Sequence, residues 1–147
     1  MAFVYEQRVQ FRDTDAAGIA HFSVFFTWME EAEHATLRSL GLSVMPRHSH
    51  AGAVAMASDS SPGVTWPRVS AQCDYVRPLR FEDALQIEVT LGKLGIKSLT
   101  YHFTFRSRDQ TIATGQVTVV CCRIVDGHLQ SVEIPIEIAA RLQTLVA

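Results

Sequence analysis

The chain has 147 residues, is 48% hydrophobic and 19% charged, and carries a formal net charge of -2. That composition excludes intrinsic disorder, and the charge leaves no basic footprint for a nucleic-acid partner, so an anionic ligand needs a local basic site. The length suits a single domain over 1–147 that buries about 68–70% of its unfolded surface. The amino-terminal MAFVYEQRVQF lacks a charged region followed by an apolar one, so no signal peptide is expected. The longest apolar runs fall far short of the roughly 20 residues a membrane helix needs. Cys73, Cys121 and Cys122 form neither a disulfide framework nor a zinc spacing and read as reduced cysteines of a cytoplasmic protein, with Cys121 and Cys122, in a strand among Val and Ile, as core thiols.

Residues 3–11 read as a strand, with Val9 and Phe11 alternating against Arg8, Gln10 and Arg12. Residues 22–40 are the clearest helix. Phe22, Phe25, Phe26, Met29, Ala32, Leu37 and Leu40 fall near one stripe, and Glu30, Glu31, Glu33, His34 and Arg38 lie opposite. Ser23 is placed to cap it and Gly41 to stop it. Residues 43–63 are irregular and are expected to form a flap near a pocket. His48 and His50 lack neighbouring carboxylate or Cys ligands, so a solvated loop is expected there and no metal. Strands follow at 64–78, 85–94, 96–108 and 111–125, with turns at Gly95, Asp109-Gln110 and Asp126-Gly127. Leu99, Tyr101, Phe103 and Phe105 alternate on one face. Residues 128–133 are loop or a short strand end. Pro135 opens a closing helix over 136–146. One strand, one long aromatic helix and a run of antiparallel strands make an α+β domain, in which a curved sheet wraps the helix. The edge and apolar remainder of such a sheet suit a symmetric dimer.

The acidic stretch Asp13-Thr14-Asp15, followed by Ala16-Ala17-Gly18, precedes the helix. An EF-hand match fails at Ala17 and at Val24, where acidic or amide ligands are required. Both aspartates have a turn-forming reading, which Asp13 fits best as an Asx-turn. Asp15 precedes a glycine bend that returns the chain to the helix start. There it suits a general base for water or a nucleophile that forms a mixed anhydride. The free N–H groups near Phe22 and Ser23 would hold the carbonyl oxygen, a positioned donor being worth about 2.7–4 kcal/mol. His21 would polarise, orient or simply pack. No G-x-S-x-G elbow, P-loop or G-x-G-x-x-G fingerprint is present.

The motif D-T-D-A-A-G-I at 13–19, with CDYVRPLRFEDALQIEV at 73–89 and DGHLQSVEIP at 126–135, resembles the hotdog-fold acyl-CoA thioesterases of the 4-hydroxybenzoyl-CoA class, and is similar to Tol–Pal-associated relatives. The resemblance implies a five-stranded antiparallel sheet around a long helix, paired into a homodimer or tetramer with active sites at the dimer interface. It places the catalytic Asp on Asp15 and the oxyanion N–H on Phe22, with His21 just before it. It places the CoA nucleotide against the turn LGIKS, where Lys97 keeps the charge. Arg77, Arg80 or a partner subunit supply the rest. CoA enters as part of the substrate, and no separate cofactor or metal is implied. A binding module that senses acyl-CoA without turnover, and a hydratase or dehydratase using His21 and Asp15, are the alternatives. The aromatic helix face and Trp66 admit an aryl or a medium aliphatic acyl group.

Overall fold

The computed structural model describes residues 1–45 and 63–147. Residues 46–62, with His48, His50 and most of the expected flap, lie outside the described residues. The elements in chain order are β1 (Phe3–Arg8), a single 3-10 turn (Phe11–Asp13), α1 (Val24–Ser39), β2 (Arg68–Tyr75), β3 (Ala84–Leu94), β4 (Ser98–Ser107), β5 (Gln110–Val120), β6 (Cys122–Val125), β7 (His128–Ser131) and α2 (Ile136–Leu142), followed by a last 3-10 turn, Gln143–Leu145. Five strands form one sheet in the order β1-β3-β4-β5-β2, and every neighbouring pair is antiparallel. β6 and β7 form a separate hairpin. No helix among the described residues is long and apolar enough to cross a membrane.

Alternation builds the buried face. Leu85, Ile87, Val89 and Leu91 of β3 and Leu99, Tyr101, Phe103 and Phe105 of β4 are all buried, as their period of two requires. α1 lies across that face. The Phe25 ring makes edge contacts with Trp28 at 5.1 Å, Tyr75 of β2 at 5.0 Å and Phe105 of β4 at 5.2 Å. On β5, a Cβ at Gly115 would run into Met29 Sδ, so glycine lets the sheet close around the helix. On the β1 side, Gln7 Nε2 donates to Glu31 Oε2 at 2.9 Å. The helix ends in a Schellman turn, with Gly41 at φ +72° and Leu42 N–H donating to Leu37 C=O at 2.8 Å. Arg141 Nη1 of α2 donates to Leu40 C=O at 3.1 Å, which puts a cation on the negative end of α1.

Several boundaries differ from the sequence expectation. The first strand ends at Arg8, because the chain turns at Phe11–Asp13 and leaves Phe11 76% exposed, edge-on to Phe81. α1 starts at Val24, two residues after Phe22. Residues 64–78 are strand only over Arg68–Tyr75, with Thr65 bridged instead to Cys122. Residues 111–125 divide at Cys121, where the chain leaves the large sheet for the β6–β7 hairpin. The β4–β5 turn is Arg108–Asp109, one residue earlier than expected, with φ 51° and 61° as a type I′ turn demands. Pro135 caps α2 from outside its first turn, and the helix ends at Leu142. The Asp126-Gly127 turn falls as expected, with φ 51° and 78°. No side chain crowds Gly127, so Gly127→Ala tests backbone strain alone. It is expected to lower unfolding free energy by about 1–2 kcal/mol, seen as a fall in urea midpoint.

Glu33 is the main correction. Read as part of the polar face, it is only 2% exposed. Met29, Glu33 and Leu37 are spaced by four, so Glu33 stands inside the buried stripe.

Candidate active site

The loop before α1 is a short closed structure. Asp13 is buried, and its Oδ2 accepts from Gln10 N–H at 2.7 Å while its C=O accepts from His21 N–H at 2.7 Å. Asp13 is therefore structural, but as the acceptor of a capping box and not as the Asx-turn former expected of it; the Asx-type bond belongs to Asp15. Thr14 bridges Ala20, Ile19 bridges Arg80, and Ala20 N–H donates to Leu79 C=O at 2.7 Å. Between these anchors, Asp15 N–H donates to Ile19 C=O at 2.9 Å, and Gly18, at φ +79°, turns the chain back.

Asp15 is half-buried. Its Oδ1 accepts from Ala17 N–H at 2.8 Å, an Asx-type bond that fixes the carboxylate. Its Oδ2 takes no hydrogen bond from a described residue. The same loop carries His21 and Phe22. The Phe22 N–H finds no acceptor among the described residues, whereas its C=O accepts from the Tyr75 hydroxyl at 2.8 Å. The Phe22 ring is 64% exposed and stacks on His21 with centroids 4.6 Å apart. Phe22 thus contributes through its peptide and not through the apolar stripe. His21 Nδ1 lies 2.7 Å from Ser23 Oγ and accepts from Ser23 N–H at 3.2 Å. That network assigns the proton of a neutral ring to Nε2. It also means that His21 caps the helix start, the role expected of the Ser23 side chain, which makes no capping bond to the backbone.

Asp15, His21 and Phe22 are therefore brought together, and Arg80 joins them through the Ile19 bridge. Arg77 lies in the same β2–β3 connection, with Nη1 donating to Thr111 C=O at 2.8 Å. Lys97 is elsewhere. It sits in the β3–β4 turn, and β3 (Ala84–Leu94) separates it from Arg77 and Arg80. At 3.2–3.4 Å per residue that strand is about 30–35 Å long, so the three cations cannot share one site within one chain.

Sequence reasoning missed two features. Tyr75 anchors the Phe22 peptide from β2, a pairing across 53 residues that no local pattern reveals. The second is a cavity of about 220 Å³ between α1 and β2, with Glu33 and Arg68 among its lining residues. The spacing of Glu33 with Met29 and Leu37 was the available signal.

A long helix wrapped by a five-stranded antiparallel sheet, with a short carboxy-terminal helix, is the hotdog fold, as the resemblance implied. The chain belongs to the Thioesterase-like superfamily, whose family model matches residues 9–142. It is 37% identical over 105 residues to the 1,4-dihydroxy-2-naphthoyl-CoA hydrolase of Prochlorococcus marinus (strain MIT 9303), covering 71% of this chain and 67% of that protein. It superposes on a gentisyl-coenzyme A thioesterase with a TM-score of 0.74 at 30% identity, covering 92% and 98% of the two chains. The 4-hydroxybenzoyl-CoA thioesterase from Pseudomonas sp. strain CBS-3 shares the fold, with a TM-score of 0.77 at 20% identity over 95% and 98%.

Proposed function

We propose that this protein hydrolyses an acyl-CoA thioester to the free acid and CoA. Family membership and the CoA-hydrolase relatives support the reaction class. One observation carries the assignment of the site: the Phe22 N–H, just before α1, and Asp15 Oδ2 stand on the same closed loop, and neither has a hydrogen-bond partner among the described residues. The thioester oxygen accepts from Phe22 N–H, which stabilises the oxyanion as it forms. Asp15 takes a proton from water as that water attacks the carbonyl carbon. The C–S bond breaks, and the departing CoA thiolate is protonated by the proton that Asp15 took from water, so CoA leaves as its thiol. In the covalent route Asp15 attacks the carbonyl carbon first and expels the CoA thiolate, and water then cleaves the mixed anhydride to the free acid. Both routes use the same two groups.

CoA itself is held by cations near the site. Arg80 and Arg77 are the local ones, and Lys97 serves the site of a partner copy, since its own is a strand length away. A homodimer through the β2 edge fits this. β2 ends the sheet and exposes Val69 and Tyr75. A tetramer of such pairs, working in the cytoplasm, completes the reading. Because Tyr75 holds the Phe22 carbonyl, Tyr75→Phe is expected to lower kcat about two- to tenfold, the effect of one neutral hydrogen bond.

Purified protein, a panel of acyl-CoA substrates and a thiol-trapping dye test the function. Catalytic release of thiol is expected. Micromolar binding without thiol release would replace the enzyme by an acyl-CoA-binding module. Loss of conjugation in an enoyl-CoA would indicate a hydratase instead.

A further inference from the structure

The Phe22 N–H is one donor to the thioester oxygen, and an oxygen that gains negative charge has room for another. The same loop holds a second donor that the fold does not use. Ser23 N–H donates to His21 Nδ1 at 3.2 Å, and a backbone N–H can only donate, so Nδ1 carries no proton. Ser23 Oγ, 2.7 Å from the same nitrogen, is then a donor as well. A proton on Nδ1 would meet the Ser23 N–H donor to donor, and on a doubly protonated ring it would place a cation at the positive end of α1. The proton of the neutral ring is thus on Nε2, which has no hydrogen-bond partner among the described residues. The ring is also fixed in orientation. Nδ1 takes two bonds at one edge, and the Phe22 ring stacks on the face with centroids 4.6 Å apart and 28° between the planes. That contact gives the outward-facing Phe22 side chain, 64% exposed, a purpose outside the core.

We infer that His21 Nε2–H is the second donor of the oxyanion site: a neutral imidazole that hydrogen-bonds the thioester oxygen together with the Phe22 N–H. The inference rests on the thioesterase reading for the presence of that oxygen. Between the Phe22 nitrogen and the imidazole lie only the carbonyl carbon, Cα and Cβ of His21. Both donors therefore belong to one short turn, and one oxygen can accept from both. The ring keeps its proton throughout. As the nucleophile adds to the carbonyl carbon, the π pair of the C=O bond moves onto oxygen, and both donors tighten on the charge that forms there. The pair returns to carbon as the C–S bond breaks. A neutral imidazole held at a helix start polarises a carbonyl in this way. The two nitrogens divide the work: Nδ1 serves the helix, and Nε2 serves the substrate.

Two substitutions separate the nitrogens. In His21→Asn the side-chain oxygen falls near the Nδ1 position and still accepts the Ser23 N–H, while nothing reaches the Nε2 position. In His21→Gln the amide nitrogen falls near Nε2 and can donate, while the Nδ1 position is empty. Steady-state thiol release from an acyl-CoA that wild type hydrolyses is measured beside a thermal melt. His21→Asn is expected to lose about 10²–10³-fold in kcat, the range for one oxyanion donor, with KM within about twofold and the melt unchanged. His21→Gln is expected to keep kcat within about tenfold of wild type and to melt at lower temperature, because the helix start has lost its cap. A ring that only caps and packs gives the reverse order, with His21→Asn close to wild type in turnover. That order, or equal turnover in the two variants, overturns the role of His21 and leaves the thioesterase reading standing. Nitrogen-15 NMR of the wild-type ring is expected to show the proton on Nε2, and a proton on Nδ1 of the neutral ring overturns the role as well. Absence of thiol release by wild type from every acyl-CoA overturns the thioesterase reading, and the role of His21 with it.

Discussion

Asp15→Asn is expected to reduce kcat for CoA release by about 10²–10⁴-fold, the range associated with a positioned acid–base group. The substitution is nearly isosteric. An Asn Oδ1 still accepts the Ala17 N–H that fixes residue 15 at 2.8 Å, so the turn survives and only the charge is lost. Thermal midpoint should therefore stay close to wild type. The neighbouring aspartate gives the opposite pattern. Asp13 is buried and receives the Gln10 N–H, so Asp13→Ala leaves that donor without its acceptor. It is expected to lose about 1–3 kcal/mol of stability, and activity only as folding fails. Steady-state thiol release and a thermal melt on both variants separate a chemical residue from a structural one.

Arg68→Ala is expected to cost about 3 kcal/mol of unfolding free energy at pH 8 and much less at pH 5. Burial raises the Glu33 carboxyl from 4.5 to about 7, and Glu30 adds to the rise, while the Arg68 charge and hydrogen bond pull it back down. A carboxyl raised in the folded state binds its proton more tightly there than in the unfolded chain. Its contribution to stability is thus complete below about pH 4.5 and is lost as pH rises through 7. The gap between 4.5 and 7 corresponds to about 3 kcal/mol over that window. Above it, Arg68 is the cation that holds the buried charge, and removing one member of such a pair is strongly destabilising. Near pH 5 Glu33 is largely protonated, and the loss of Arg68 is mainly one of packing. Urea unfolding at the two pH values reads this directly. Glu33→Gln removes the titrating group and should flatten the wild-type slope between pH 5 and 8.

Where one local rule governs a residue, the sequence was legible. The run Leu99, Tyr101, Phe103 and Phe105 is buried throughout because an antiparallel strand with one packed face must alternate. Gly41 and Asp126-Gly127 were readable because their positive φ favours those residue types. Arg108 also takes positive φ, against its type, and the hairpin was therefore misplaced by one residue. The acidic loop was legible as a motif, and Asp13 as a structural residue, although the Asx-type turn expected at Asp13 is made by Asp15. Phe22 was read partly as core, but its ring faces outward and its peptide is the distinctive feature. Glu33 was misread because its charge outweighed its spacing. Lys97 and Arg77 are 20 residues apart in sequence, but β3 between them runs fully extended, and only the sheet topology shows that they occupy opposite ends.

Asp15, on the same loop as the Phe22 N–H, is proposed to perform the cleavage step. A single-turnover experiment, with enzyme in excess over an acyl-CoA that wild type hydrolyses, separates that step from binding. Wild type should release one equivalent of CoA rapidly, while Asp15→Asn should bind the thioester and hold it intact, at least 100-fold slower in release. Equal rates of CoA release from the two proteins would contradict the account.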